Sequence, residues 1–228
     1  MRRRQPAWFL ALFICFPAHA AAPPDTLAQR LVACTGCHAR ADTTRGAEYF
    51  PRISGKPSGY LYNQLINFRD GRRQYPVMNY MVAHLPDAYL HEIADYFASQ
   101  HPPAPPATPV TASPALLARG RLLAMQGDSV SKVPACVACH GQALTGTLPT
   151  VPGLIGLPRD YVNAQFGAWR NRTRQAAAPD CMATIAARLS LDDINAVSTW
   201  LASQPFSPEA RPAAALVKPL PLACGSVP

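Results

Sequence analysis

Cys34-Thr35-Gly36-Cys37-His38 recurs 102 residues later as Cys136-Val137-Ala138-Cys139-His140. Each run is a C-x-x-C-H motif, the attachment signature of a c-type haem. The chemistry needs these residues at this spacing. Two thiols add across the two vinyl groups on one edge of the porphyrin, and the adjacent imidazole supplies an axial nitrogen to iron. Two motifs therefore predict two covalently bound haem c groups. Cys34, Cys37 and His38 would hold one, and Cys136, Cys139 and His140 the other. A zinc ribbon would bring its second C-x-x-C after about 15–20 residues. A thioredoxin-like dithiol would sit on a βαβ pattern, and the sequence offers none.

The two halves match beyond these motifs. Pro51-Arg-Ile53-Ser-Gly55 aligns with Pro152-Gly-Leu154-Ile-Gly156 at an offset of 101. Tyr60, Gln64, Phe68 and Arg69 align with Tyr161, Gln165, Trp169 and Arg170 at the same offset. Met78 and Leu85 align with Met182 and Leu189 at an offset of 104, as does Tyr96 to Gln100 with Trp200 to Gln204. The expected organisation is residues 21–100 as a first domain, 101–114 as a Pro-rich linker, 115–206 as a second domain and 207–228 as a Pro-rich tail. Prolines without charges favour an extended, semi-rigid linker. Each half is small for a self-sufficient core, so a haem would be the largest apolar object in it.

The periodicity is helical, and nothing alternates over enough residues to argue for a sheet. Helices are expected from Leu27 to Ala33 and Leu116 to Met125, and from Tyr60 to Asp70 and Tyr161 to Asn171. Leu90, Ile93 and Phe97 form one i, i+3, i+7 face of a last helix, and Ile194, Val197 and Leu201 form the other. Ser190 to Asp193 fits a capping box. Pro86, in the matching place, suits a helix's first position.

Residues 1–20 read as a signal peptide. Arg2-Arg3-Arg4 is a basic leader, Trp8 to Phe16 a short apolar run, and Ala18-His19-Ala20 an A-x-A cleavage site. The apolar run is too short to span a bilayer. Haem c is attached outside the cytoplasm, so motif and signal point together to the periplasm. Removing residues 1–20 takes three of 21 basic residues and none of 13 acidic ones, leaving +5 rather than +8. Haem propionates would offset this further. The basic balance is thus not read as nucleic-acid binding, and membrane association is at most peripheral.

An iron held by His alone keeps an open face, whereas a thioether closes it and raises the potential. Met78 and Met182 each stand seven residues before a matched leucine, Leu85 and Leu189. Met81 falls opposite Ile185, an ordinary apolar position. Met78 and Met182 are therefore the expected sixth ligands, and no catalytic residue is expected.

These motifs, the downstream methionines, the P-x-[IL]-x-G segment and the final Leu-to-Ser-Gln helix together resemble the dihaem cytochromes c of the c4 type, over residues 26–205. The resemblance implies an all-α fold of two tandem class I cytochrome c domains, each wrapped around one covalent haem. It implies haem edges facing across a pseudo-twofold interface. It implies periplasmic electron transfer with redox partner proteins, often toward a terminal haem–copper oxidase. It also implies that the Pro51 and Pro152 carbonyls accept the free N–H of His38 and His140. Two departures stand out: Ala28 where the family commonly has a glycine for close helix crossing, a role Gly120 fills in the second half, and the added tail with Cys224.

Cys181 and Cys224 remain after haem attachment and signal removal. In an oxidising compartment they either pair or stay as free or intermolecular thiols. A sharper alternative places Cys181 on iron in place of Met182. Arg69, Arg72 and Arg73 recur as Arg170, Arg172 and Arg174. They either pair with propionates, face an acidic partner, or form a solvated helix end. Two functions follow from the same residues: an electron carrier between respiratory-chain components, or a dihaem catalytic or electron-accepting subunit of an oxidoreductase acting on sulfur compounds or of a dehydrogenase.

Overall fold

The computed structural model describes residues 25–38, 50–101, 110–207 and 209–228. The expected signal peptide and residues 102–109 of the expected linker lie outside the described residues. The first half carries α1 (Leu27–Arg30), α2 (Val32–His38), α3 (Ser58–Arg69), α4 (Pro76–Val82) and α5 (Asp87–Ser99). The second carries α6 (Pro114–Met125), α7 (Val137–His140), β1 (Gly146–Thr147), β2 (Val151–Pro152), α8 (Arg159–Arg170), α9 (Cys181–Arg188) and α10 (Leu191–Ser203).

Each half has its own apolar centre. Leu90, Ile93 and Phe97 of α5 pack with Leu31, Leu61, Phe68 and Val82. Ile194, Val197 and Leu201 of α10 pack with Leu123, Val137, Val162, Phe166 and Leu189. The predicted i, i+3, i+7 faces are therefore the buried faces of both last helices. Burying one such side chain contributes about 1.5–3 kcal/mol, which is why these two stripes dominate the local packing.

Caps explain the helix starts. Ser190 accepts from Asp193 N–H at 3.0 Å, as the capping box predicts. Ser113 accepts from Leu116 N–H at 3.2 Å, with Pro114 at the first helical position. Pro86 differs from expectation. It is the extended N-cap of α5 (φ −72°, ψ 155°), and Asp87 opens the helix. Its fixed φ suits either position.

Three further features depart from the expected elements. The single helix from Leu27 breaks into α1 and α2 at Leu31, whose side chain turns into the core and is 1% exposed. Both methionine segments are helical, as α4 and α9. They span 7 and 8 residues, too few for a periodic signal. Finally, β1 and β2 form a two-stranded antiparallel ladder that pairs Gly146 with Pro152 and Thr147 with Val151. Two-residue strands cannot show an alternating pattern in sequence.

Glycine is required at two kinds of place. Gly55 and Gly156, matched across the repeat, have φ of +74° and +79°, the left-handed region where a Cβ is strained. At Gly120 in α6, a Cβ would lie 2.2 Å from Ala196 O of α10, so the helices touch backbone to backbone. No helix among the described residues is long and apolar enough to cross a membrane.

Candidate haem sites and the seam between them

In the second half Cys136 is the N-cap of α7, and Cys139 and His140 follow within one turn. The β-ladder fixes what faces them. Thr147 Oγ1 donates to Cys139 O at 2.9 Å, and the Pro152 carbonyl accepts from His140 Nδ1 at 2.7 Å. A carbonyl can only accept, so the proton sits on Nδ1 and the Nε2 lone pair is free for a metal. Burial pushes the His140 pKa down, against the Pro152 hydrogen bond, and the Lys56 charge adds to the depression. The imidazole is thereby held neutral.

The first half repeats the arrangement. Cys34, Cys37 and His38 lie on α2, and the Pro51 carbonyl accepts from His38 Nδ1 at 2.9 Å. Burial lowers the His38 pKa, opposed by the Pro51 bond and assisted by the Arg73 charge. The segment that follows, residues 39–49, lies outside the described residues.

None of the four motif cysteines is disulfide-bonded. Burial pushes Cys136 up to about 12 and raises Cys34 and Cys139 as well. A reactive redox dithiol needs the opposite, a depressed thiol pKa. Protonated thiols in an apolar pocket are instead suited to conversion into uncharged thioethers.

The second cavity is lined by Cys136, Cys139, His140 and Met182 together, with apolar walls from Val162, Phe166 and Leu201. Two thiols, one neutral imidazole with a free nitrogen and one thioether form the donor set that a covalent haem requires. The residues present therefore fit that group. In the first half Met78 and Cys34 pack against the same core cluster. Met81 is 39% exposed.

Each methionine helix is held at both ends. Asn79 accepts from Tyr75 N–H at 2.7 Å and donates to Phe68 O and Arg73 O, bracing α4. Asp180 caps α9, accepting from Ala183 N–H at 3.0 Å. At the far ends matched arginines bind matched carbonyls. Arg69 donates to Leu85 O at 3.3 Å, and Arg170 to Leu189 O at 2.8 Å and Ala186 O at 3.2 Å. These bonds satisfy carbonyls in and just past the last turns, which have no partner within the helices.

Cys181, the first residue of α9, forms a disulfide with Cys224 of the tail, with Cα atoms 4.9 Å apart. A disulfide-bonded sulfur is not a thiolate, so this state of Cys181 does not compete with Met182 for iron. The tail is seated further. Asn63 Nδ2 donates to Ser226 O at 3.3 Å, and Ala213 exchanges backbone bonds of 2.8 Å with Gly146 and Leu148. Leu220, Leu222 and Val227 join the cavity wall.

The arginine clusters divide by role. Arg73 and Arg174 form an isolated antiparallel bridge between the halves. Beside it Gln74 N–H donates to Thr173 O and Gln175 N–H to Arg72 O, both at 2.7 Å. Arg73 donates to Gln64, Gln165 and Tyr161 at 2.9, 2.8 and 3.3 Å. Arg174 donates to Gln165, Gln64 and Tyr60 at 2.7, 3.2 and 3.4 Å. Every partner is matched to its counterpart by the repeat, so the seam has local twofold symmetry. Each guanidinium also covers its own aromatic, Arg73 over Phe68 at 4.5 Å and Arg174 over Trp169 at 3.9 Å. Arg174 is only 7% exposed, so the solvated helix end does not describe it. Arg72 turns instead to Asn67 and Asp70, and Arg172 is exposed. Sequence matching found Gln64 and Gln165 but not their task, which needs the halves to be juxtaposed.

No family model matches the chain. The chain is 37% identical over 199 residues to the thiosulfate dehydrogenase electron acceptor of Thiomonas intermedia, covering 87% of this chain and 88% of that protein. It is 33% identical over 186 residues to cytochrome c4 of Pseudomonas aeruginosa, covering 81% and 90%. Among solved structures, reduced recombinant cytochrome c4 from Pseudomonas stutzeri superposes with a TM-score of 0.64 at 29% identity, over 77% of this chain and 95% of that one. An as-isolated thiosulfate dehydrogenase from Marichromatium purpuratum gives 0.64 at 32% identity over 75% of this chain. This chain spans 36% of that longer one.

Proposed function

The chain belongs to the cytochrome c4 family, and from that premise we propose that it takes electrons from a thiosulfate-oxidising dehydrogenase in the periplasm and passes them to the respiratory chain. As a family member it has an all-α fold of two tandem class I cytochrome c domains with two covalently bound haems, and it is an electron-transfer protein rather than an enzyme. It works with redox partner proteins. The observation that carries the finer reading is the 37% identity to a thiosulfate dehydrogenase electron acceptor across 88% of that protein's length.

In this reading residues 21–100 and 115–206 are the two domains, delivered by the signal peptide at 1–20. Cys34, Cys37, Cys136 and Cys139 hold the haems as thioethers. His38 and Met78 would ligate one iron, and His140 and Met182 the other. When bound, the haems supply one-electron chemistry between ferric and ferrous iron. The chain's residues keep the cost of that change low. Pro51 and Pro152 hold the imidazoles in one tautomer and orientation. Arg69 and Arg170 hold the methionine helices from behind, and the Arg73–Arg174 seam keeps the halves at one separation. A terminal oxidase is the natural electron sink, nucleic acid is not a partner, and membrane contact is at most peripheral.

The test mixes oxidised holoprotein with a thiosulfate dehydrogenase and thiosulfate while the ferrous absorption bands are followed. Both haems should be reduced at a rate that depends on both additions. Reduction no faster than that of an unrelated class I cytochrome would overturn the assignment of the donor.

A further inference from the structure

Lys56 breaks the repeat inside its best-matched segment. Pro51-Arg-Ile-Ser-Gly55-Lys56-Pro57 aligns with Pro152-Gly-Leu-Ile-Gly156-Leu157-Pro158, so a cation in the first half stands where the second has an aliphatic residue. The lysine belongs to the first half, yet it lines the cavity that holds Cys136, Cys139 and His140. Its charge acts on His140. Its own surroundings include Tyr161 and two guanidiniums, Arg52 and Arg174, and burial is the main influence pushing its pKa down.

Such a group is costly without an anion. Withdrawing an ammonium from water is unfavourable unless an opposite charge repays it. Among the described residues no carboxylate lies within 4.0 Å of Lys56 or Arg174. The hydrogen-bond partners of Arg174 are two amides and a phenol. The cavity wall thus presents positive charge from both halves, and its one carboxylate, Asp180, is taken up by the Ala176 and Ala183 N–H groups. A haem brings two carboxylates, its propionates.

We infer that Lys56 of the first domain is the counter-ion of a propionate on the second domain's haem. The inference rests on the reading that Cys136, Cys139 and His140 hold that haem. Its consequence is an asymmetry between two otherwise matched sites. A fixed positive charge opposes the positive charge gained on oxidation, and it does so most strongly in a low-dielectric pocket. Lys56 therefore favours the ferrous form of the second haem, and Leu157 offers the first no equivalent. The lysine biases the electron toward the second domain, and it ties that bias to the docking of the halves.

The test is a redox titration of the dihaem protein and its Lys56→Met and Lys56→Arg variants. The haems are told apart by NMR, through the proximity of their shifted methyl signals to Trp169 or Phe68. Lys56→Met should shift the equilibrium between the two haems about tenfold toward electron residence on the first, about 59 mV for a one-electron couple. It should do so by lowering the second potential alone. Lys56→Arg, which keeps the charge, should restore most of it. An unchanged second potential, an equal fall in both, or no rescue by arginine would overturn the inference. A chain whose mass carries fewer than two haems would instead overturn the site reading beneath it.

Discussion

Arg73 of the first half donates to Gln165 of the second at 2.8 Å, and the contact recurs in reverse where Arg174 donates to Gln64 at 3.2 Å. Two guanidiniums side by side repel, so the seam is stable only because each is spread over several neutral acceptors and an aromatic face. The duplicated sequence has here become a duplicated half-interface that recognises its own copy.

This arrangement makes the two arginines interdependent. Arg174→Met should destabilise the holoprotein by about 1.5–3 kcal/mol, the contribution of a hydrogen bond to a charged group. Arg73→Met should do likewise. The double variant should cost more than the sum, because in each single variant the remaining guanidinium still satisfies Gln64 and Gln165, keeps its aromatic and is freed of its like-charged neighbour. Denaturant midpoints of the four proteins check this, and strict additivity would show that the seam is not one unit.

Axial ligation is tested residue by residue. Met78→Ala and Met182→Ala should each remove one domain's Met–iron absorption band. Each should also lower that haem's potential by part of the roughly 0.8 V range that axial ligands span. Met81→Ala should leave band and potential unchanged, as fits its exposure. The reverse result for Met78 and Met81 would reassign the first ligand.

The Cys181–Cys224 disulfide closes a loop with a separation of 43 residues. Chain entropy gives such a crosslink about 4 kcal/mol. Cys224→Ser should lower the denaturation midpoint accordingly. Unfolded but unreduced holoprotein should label at no thiol, since thioethers consume the other four cysteines. Two labelled thiols per chain would contradict the bond.

Arg119 bridges α6 to Asp193 at 2.7 Å and to Asp128 at 2.8 Å. Its hydrogen bonds hold both carboxyls below their ordinary value of 3.8. A depressed folded pKa stabilises the protein above the unfolded value, and that contribution is lost as pH falls through the folded one. The stability gap between the native protein and Arg119→Met should be full near pH 7. It should shrink below about pH 4, where both carboxyls take up protons. Urea midpoints at pH 7 and pH 3 measure it, and a gap independent of pH would remove the bridge from the account.

Local rules were legible from the chain. The haem motifs declare themselves because covalent attachment demands fixed residue types at fixed spacing. The faces Leu90, Ile93, Phe97 and Ile194, Val197, Leu201 declare themselves because a helix repeats every 3.6 residues. The repeat carried these readings from one half to the other, and it matches Gly55 with Gly156, which share a left-handed backbone. The short helices around Met78 and Met182 left no such trace. Their stability comes from Asn79, Asp180, Arg69 and Arg170 rather than from an apolar stripe.

Contacts between distant segments belong to the tertiary structure alone. Residue types already marked Arg73, Arg174, Gln64 and Gln165 as matched. Only the docking of the halves makes them one seam, because a hydrogen bond depends on position in space and not on separation along the chain. Lys56 is the clearest case. In sequence it is one lysine beside a proline, and its charge gains meaning only where the fold carries it out of its own domain into the cavity of the other.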